Sequence, residues 1–182
     1  MEQVKLTKPS GMMRWMQIYG LYRQAFPASE RKPFGIIVKM YRQGRADIWC
    51  AEQDGRFAGF ATTVNGGDLI LLDYFAVSEA KRGRGIGSAA LAKLQQIYGD
   101  KGFFVEIETT RDGVPDRDGR LKRKHFYQTA GMAELHVEAE VFGVEMELLG
   151  SRCSLDFEGY RTFYRDHYSP WAAEHLTQPD DL

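Results

Sequence analysis

The sequence predicts an α+β domain with a mixed, mostly antiparallel sheet and helices on both faces, and three observations carry that reading. Three strand-like runs, IWCAEQ, RFAGFATTV and DLILLDYFAV, are joined by two tight-turn signatures, Asp54-Gly55 and Asn65-Gly66-Gly67, which makes an antiparallel meander. The third run is then followed by a glycine-rich loop, a helix-period run and another strand, GFFVEIETT. That order and length imply one parallel crossover pair. Helix-period segments precede and follow these strands, with no repeat or linker-like tract between them, so residues 1–182 read as a single domain.

Taken in order, Met12, Trp15, Tyr19, Tyr22 and Phe26 recur at helical spacing, and Pro27 stops that helix. A second short helix carries Phe34, Ile37, Val38 and Tyr41, with Gly44 as its C-terminal cap. The meander follows, and its last strand, LILLDYFAV, is apolar on both faces, as a strand covered on both sides requires. Ile86, Ala89, Ala90, Lys93, Leu94 and Ile97 set the next helix, which Gly99 ends. After GFFVEIETT, a polar loop, RDGVPDRDGR, leads into a helix through Phe126 and Tyr127 that ends at Gly131. Two more strands, MAELHVEAEVF and VEMELLG, and an aromatic helix with Phe157, Tyr160, Tyr164 and His167 complete the chain.

A formal charge of -1 argues against a chain whose main business is coating nucleic acid or an anionic membrane, and leaves room only for a local basic patch. Cys50 and Cys153 make no metal-binding pair, and the four histidines have no ligand spacing, so no metal is expected. The first residues lack the apolar core of a signal peptide, and the longest apolar run is broken by Asp73. The expectation is a cytoplasmic protein. Cys50, between Trp49 and Ala51 in a strand, reads as a core thiol rather than a nucleophile.

The loop Lys81-Arg82-Gly83-Arg84-Gly85-Ile86-Gly87-Ser88 is the chemical centre of the sequence. It is not a Walker loop, because no lysine follows Gly87. The dinucleotide fingerprint fits only partly: Gly83 and Gly85 have its first spacing and Glu106 and Glu108 lie where a ribose-binding acid would fall, but Ser88 replaces its third glycine. Five residues also separate Val77 from Gly83, where that fingerprint opens directly off its strand. A third pattern, Arg or Gln, two residues, Gly, one residue, Gly or Ala, opening a helix after a strand that ends in Ala-Val, matches throughout.

With LDYFAV before that loop and FYQTAGM about 40 residues after it, the chain resembles the GNAT superfamily of acyl-CoA-dependent N-acetyltransferases. The resemblance implies a single GNAT-like domain whose one parallel strand pair splays apart, with acetyl-CoA as cosubstrate. Arg82, Gly83, Arg84, Gly85, Ile86, Gly87 and Ser88 would cradle its pyrophosphate, a role that fits small residues and a helix N-terminus. Phe75, Ala76 and Val77 would lie beside its thioester arm. Tyr127 would protonate the departing thiolate, and a carboxylate would serve as general base, with Glu106 ranked first, Glu108 second and Asp73 third. Asp73 has a competing structural reading, a hydrogen bond to a neighbouring loop. The basic run Arg120 to His125 reads first as a solvated helix face, although Arg123 or Lys122 could reach coenzyme A phosphates.

The implied reaction is acetyl transfer to a primary amine, on a small molecule or a protein, by a monomer or homodimer with no nucleic-acid or membrane partner. The alternative is a non-catalytic acyl-CoA-binding regulatory or interaction module. The acceptor is not legible: in the family its selection lies in the loop between the first two helices, here PASERKP, and in the loop after the fifth strand, where Asp112, Asp116 and Asp118 interleave with Arg111, Arg117 and Arg120.

Overall fold

The computed structural model describes residues 4–179, and it begins with a strand that sequence pattern passes over. β1 (Val4–Thr7) is too short to show a period, yet it pairs antiparallel along β2 (Ala46–Gln53), Val4 opposite Gln53 and Thr7 opposite Cys50. α1 (Gly11–Ala25) and α2 (Phe34–Arg42) lie between them in sequence. The buried face of α1 is Ile18, Leu21 and Tyr22, whereas Met12 and Tyr19 are exposed, so the core stripe is rotated from the one read off the bulky side chains.

β2 pairs antiparallel with β3 (Arg56–Gly66), and β3 leads into β4 (Leu69–Val77). Tyr74 N donates to Thr62 Oγ1 at 3.1 Å and Ser78 N to Ala58 O at 2.8 Å, links that run in opposite directions along the two strands and mark them as antiparallel. The register of β2 against β3 slips at Ala51/Glu52. That bulge explains why Ala58 and Phe60, two residues apart, pack in different clusters. Phe60, Ile48, Cys50, Tyr74 and Ala76 meet α1 and α2, while Ala58, Ala51 and Val4 meet α3 (Ile86–Tyr98) through Ile86 and Ala90. Helices therefore cover both faces of these strands.

The described residues form two compact units, the first running to Asn65 and including Leu72–Gly99, the second comprising Gly66–Leu71 and the residues from Asp100 onward. In the second, Gly102 N donates to Asp68 O at 2.9 Å, which brings the starts of β4 and β5 (Gly102–Glu108) together and makes that pair parallel. β5 pairs antiparallel with β7 (Val144–Ser151), β7 with β6 (Ala133–Val141), and β6 with a last strand, β8 (Leu176–Thr177), giving the strand order β1-β2-β3-β4-β5-β7-β6-β8. α4 (Arg117–Thr129) fills the β5–β6 connection.

The last element departs from the single aromatic helix expected. α5 (Phe157–Phe163), capped by Asp156, runs into a π turn over Tyr164–Tyr168, closed by Ser169 N donating to Tyr164 O. Ser169 then caps α6 (Pro170–Glu174), and the two-residue β8 (Leu176–Thr177) pairs with β6.

Candidate active site

In the first unit, the end of β4 is shaped by a neighbour that carries no side chain. A Cβ on Gly59 would lie 2.4 Å from Ala76 O and 3.1 Å from Val77 Cα, so only glycine lets β3 come this close. Ala76 faces the α1–α2 core and Phe75 and Val77 the α3 side. Arg82 Nε donates to Val77 O at 3.1 Å, tying the glycine loop to the strand end. Gly83 and Gly85 take φ of +72° and +75°, with open space where a Cβ would stand. Gly85 is the N-cap of α3, and its carbonyl accepts from Ala89 N at 3.0 Å. The backbone N–H groups of residues 83–88 have no hydrogen-bond partner among the described residues, and they open the positive end of a 13-residue helix. Such an arrangement has the geometry and the charge to hold an anion.

Asp73, on the same strand, pairs with Lys32 Nζ at 2.8 Å, and its side chain is only 4% exposed. Lys32 belongs to the PASERKP loop, which is pinned further: Tyr22 Oη donates to Lys32 O, Lys32 N to Tyr74 Oη, and Tyr74 Oη to Glu30 O. The structural reading of Asp73 as a tie to a neighbouring loop is thus the one the geometry supplies. Cys50 lies fully buried, its thiol pushed up by burial to about 11, as a core residue requires.

In the second unit, Phe104 and Glu106 project from β5 toward α5. Phe104 meets the rings of Tyr160 and Phe163 edge-on, and both the Tyr160 and Tyr164 hydroxyls donate to Glu106 Oε1. Glu108 is committed differently, to Arg120 Nη2 at 2.9 Å and Arg123 Nη1 at 2.8 Å from α4. Arg123 is therefore occupied by a carboxylate. Arg117 pairs with Asp112 at 3.1 Å and also donates to Thr110 O, and Arg120 donates to Thr109 O, so the polar loop after β5 is largely folded back onto α4. Lys124, pushed down by burial, is nonetheless held above its ordinary value by Glu134 and Glu147 and stays a cation.

Tyr127 is buried on α4 with its ring against Phe126, and its hydroxyl has no hydrogen-bond partner among the described residues. Burial pushes its phenol up to about 12, against a smaller opposing pull from Arg123. A phenol so placed keeps its proton at neutral pH, as a proton donor must. Gly59, Lys32 and the Tyr160/Tyr164 pair were not singled out as site residues. Only the tyrosines leave a sequence signal, a four-residue spacing that puts both hydroxyls on one helix face.

Among the described residues no group of histidine, cysteine and carboxylate side chains could hold a metal ion, and no helix is long and apolar enough to cross a membrane. The sequence matches no curated protein. Solved structures do match in fold: a Bacteroides thetaiotaomicron protein described as a GNAT-family acetyltransferase superposes with a TM-score of 0.72 at 20% identity, covering 90% of this chain and 96% of the other. An aminoglycoside 6'-N-acetyltransferase complexed with coenzyme A gives 0.64 at 13% identity, over 82% and 96%. The Escherichia coli ribosomal-protein-S18-alanine N-acetyltransferase gives 0.55 at 16%, over 84% and 96%. The acetyltransferase (GNAT) family model matches residues 15–132, more than half of the chain and the stretch that holds the glycine loop, Glu106 and Tyr127. The chain belongs to that family, the acetyl-CoA-dependent N-acyltransferases.

Proposed function

We propose that the protein transfers an acetyl group from acetyl-CoA to a primary amine, with residues 82–88 binding the pyrophosphate, Phe75, Ala76 and Val77 lining the thioester arm, Glu106 as general base and Tyr127 as general acid. The observation that carries this reading is the loop: a run of unpaired backbone N–H groups, released by two glycines at positive φ, at the mouth of α3.

In the proposed reaction the acceptor, an ammonium at neutral pH, first gives its proton to Glu106, directly or through a water. The free amine forms a bond to the thioester carbonyl carbon, the carbon–sulfur bond breaks, and the sulfur takes the proton of Tyr127; the nitrogen then loses its surplus proton, which restores the Tyr127 phenol through water, and Glu106 returns its own proton to solvent. Glu106 is preferred over Glu108 because the latter is neutralised by two arginines, and over Asp73 because the latter is paired with Lys32. The acceptor is an amine on a small molecule or a protein; the aminoglycoside and ribosomal-protein enzymes among the structural relatives represent both kinds.

Two measurements test the reading. Calorimetric titration with coenzyme A should give binding for the native chain and none for Gly85→Glu, which sets bulk and negative charge in the cradle; equal affinities would remove the assignment. Thiol release from acetyl-CoA against amines, amino acids, polyamines, aminoglycosides and peptides should then identify an acceptor. Coenzyme A binding with no release against any of them would favour the non-catalytic module.

A further inference from the structure

The C-terminal helix ends in an arrangement that packing alone does not call for. Tyr160 and Tyr164 are completely buried, one helical turn apart, and both hydroxyls converge on a single oxygen of Glu106, which itself stays half-buried. The helix is seated without them. Asp156 caps it through Gly159 N, Phe163 meets Phe104 at 5.1 Å, and Phe163 also fills the space at Gly66, where a Cβ would lie 2.3 Å from its ring. Tyr164 stacks on Tyr168 at 5.1 Å and 11° within the π turn. Burying two phenol hydroxyls is unfavourable unless each finds a partner, and a leucine at 106 with phenylalanines at 160 and 164 would fill the same space.

We infer that Tyr160 and Tyr164 are positioning residues for the general base: they fix the Glu106 carboxylate in rotamer and direction so that it receives the acceptor's proton without first reorienting. A carboxylate on a two-bond stem samples several rotamers, and two donors on one oxygen select one of them. Donors to the charged form also set the pH at which the base becomes active. On the same strand face Glu108 is already neutralised by Arg120 and Arg123, and from the π turn the His167 ring lies 5.3 Å from that of Phe163.

This inference rests on Glu106 being the base, and the experiment separates the two. Tyr160→Phe, Tyr164→Phe and the double variant keep both rings and remove only the hydroxyls. Each single variant should lower kcat about 10-fold, the loss expected for one hydrogen bond to a charged group, with KM for acetyl-CoA unchanged. The acidic limb of the pH–rate profile should move to higher pH. In a Glu106→Gln background the same tyrosine substitutions should change kcat no further, since their only route to the reaction is gone. If they lower kcat equally in that background, the tyrosines act on their own and the inference fails while the base assignment stands. If Glu106→Gln itself keeps full kcat and its acidic limb, the base assignment fails instead, and the inference with it. Carboxyl-labelled glutamate observed by carbon NMR gives a readout independent of the acceptor. The Glu106 resonance, identified by its loss in Glu106→Gln, should titrate at higher pH in both tyrosine variants, and an unmoved midpoint refutes the inference.

Discussion

Replacing Gly59 by alanine is the sharpest test of how the end of β4 is built. The added Cβ would stand 2.4 Å from Ala76 O, at least about 0.6 Å inside any separation that real Cβ atoms tolerate, and the obstructing atom is backbone rather than a movable side-chain tip. One strand must therefore retreat. Overpacking of this kind costs roughly 1–3 kcal/mol. For a chain of this length about 2 kcal/mol lowers Tm by about 4–8 °C. The retreating segment is Ala76–Val77, proposed to line the thioester arm, so coenzyme A affinity should fall together with Tm. Differential scanning calorimetry and isothermal titration with coenzyme A read the two effects separately. Gly20→Ala is the control: it lies in α1 with nothing within 4 Å of an added Cβ, and it should raise stability by about 0.5–1 kcal/mol. A Gly59→Ala protein with native Tm and native affinity would refute the claim that glycine is required at this crossing.

Three further outcomes are expected. Tyr127→Phe should lower kcat by roughly 100-fold while leaving Tm at pH 7 nearly unchanged, because only a proton donor is lost. Thermal stability should fall between pH 10 and about 12: burial raises the Tyr127 phenol from 10.0 to about 12, and burial raises Tyr22, Tyr74 and Tyr98 as well. Below pH 10 their contribution is complete, and above it the unfolded chain loses protons that the folded chain still holds; a melting series in which Tyr127→Phe flattens that decline would bear this out. Lys32→Met should cost about 3 kcal/mol by leaving the buried Asp73 carboxylate without its ammonium, and Lys32→Met with Asp73→Leu should recover most of it, as chemical denaturation would show.

Motifs that the backbone itself performs were the most legible in the sequence. Gly83, Gly85 and the Asp54-Gly55 turn adopt left-handed conformations that follow from residue type, and the β4–loop–α3–β5 order follows from chain length and crossover geometry. Elements without a local period were not legible. β1 and β8 exist only because a neighbouring strand accepts them, and four or two residues cannot announce that. The stripe of α1 was legible only in part: Trp15, Tyr22 and Phe26 pack in the core, but Ile18 and Leu21, rather than the larger Met12 and Tyr19, complete the buried face, a choice made by shape in the core. The carboxylates were legible as candidates but not as partners. Strand alternation places Glu106 and Glu108 on one face, yet only tertiary contact assigns two phenols to the first and two guanidiniums to the second.

The π turn at Tyr164–Tyr168 closes on a five-residue step where an α turn would take four. Residues upstream of it, including Tyr160, follow the α register, while those downstream are rotated relative to it, which sends Pro170 into α6 and Leu176 to the edge of β6. The extra residue thus works as an angular spacer: removing one of the exposed residues Arg165 or Asp166 would make the turn regular, leave the Tyr160 grip on Glu106 in place and unseat the tail.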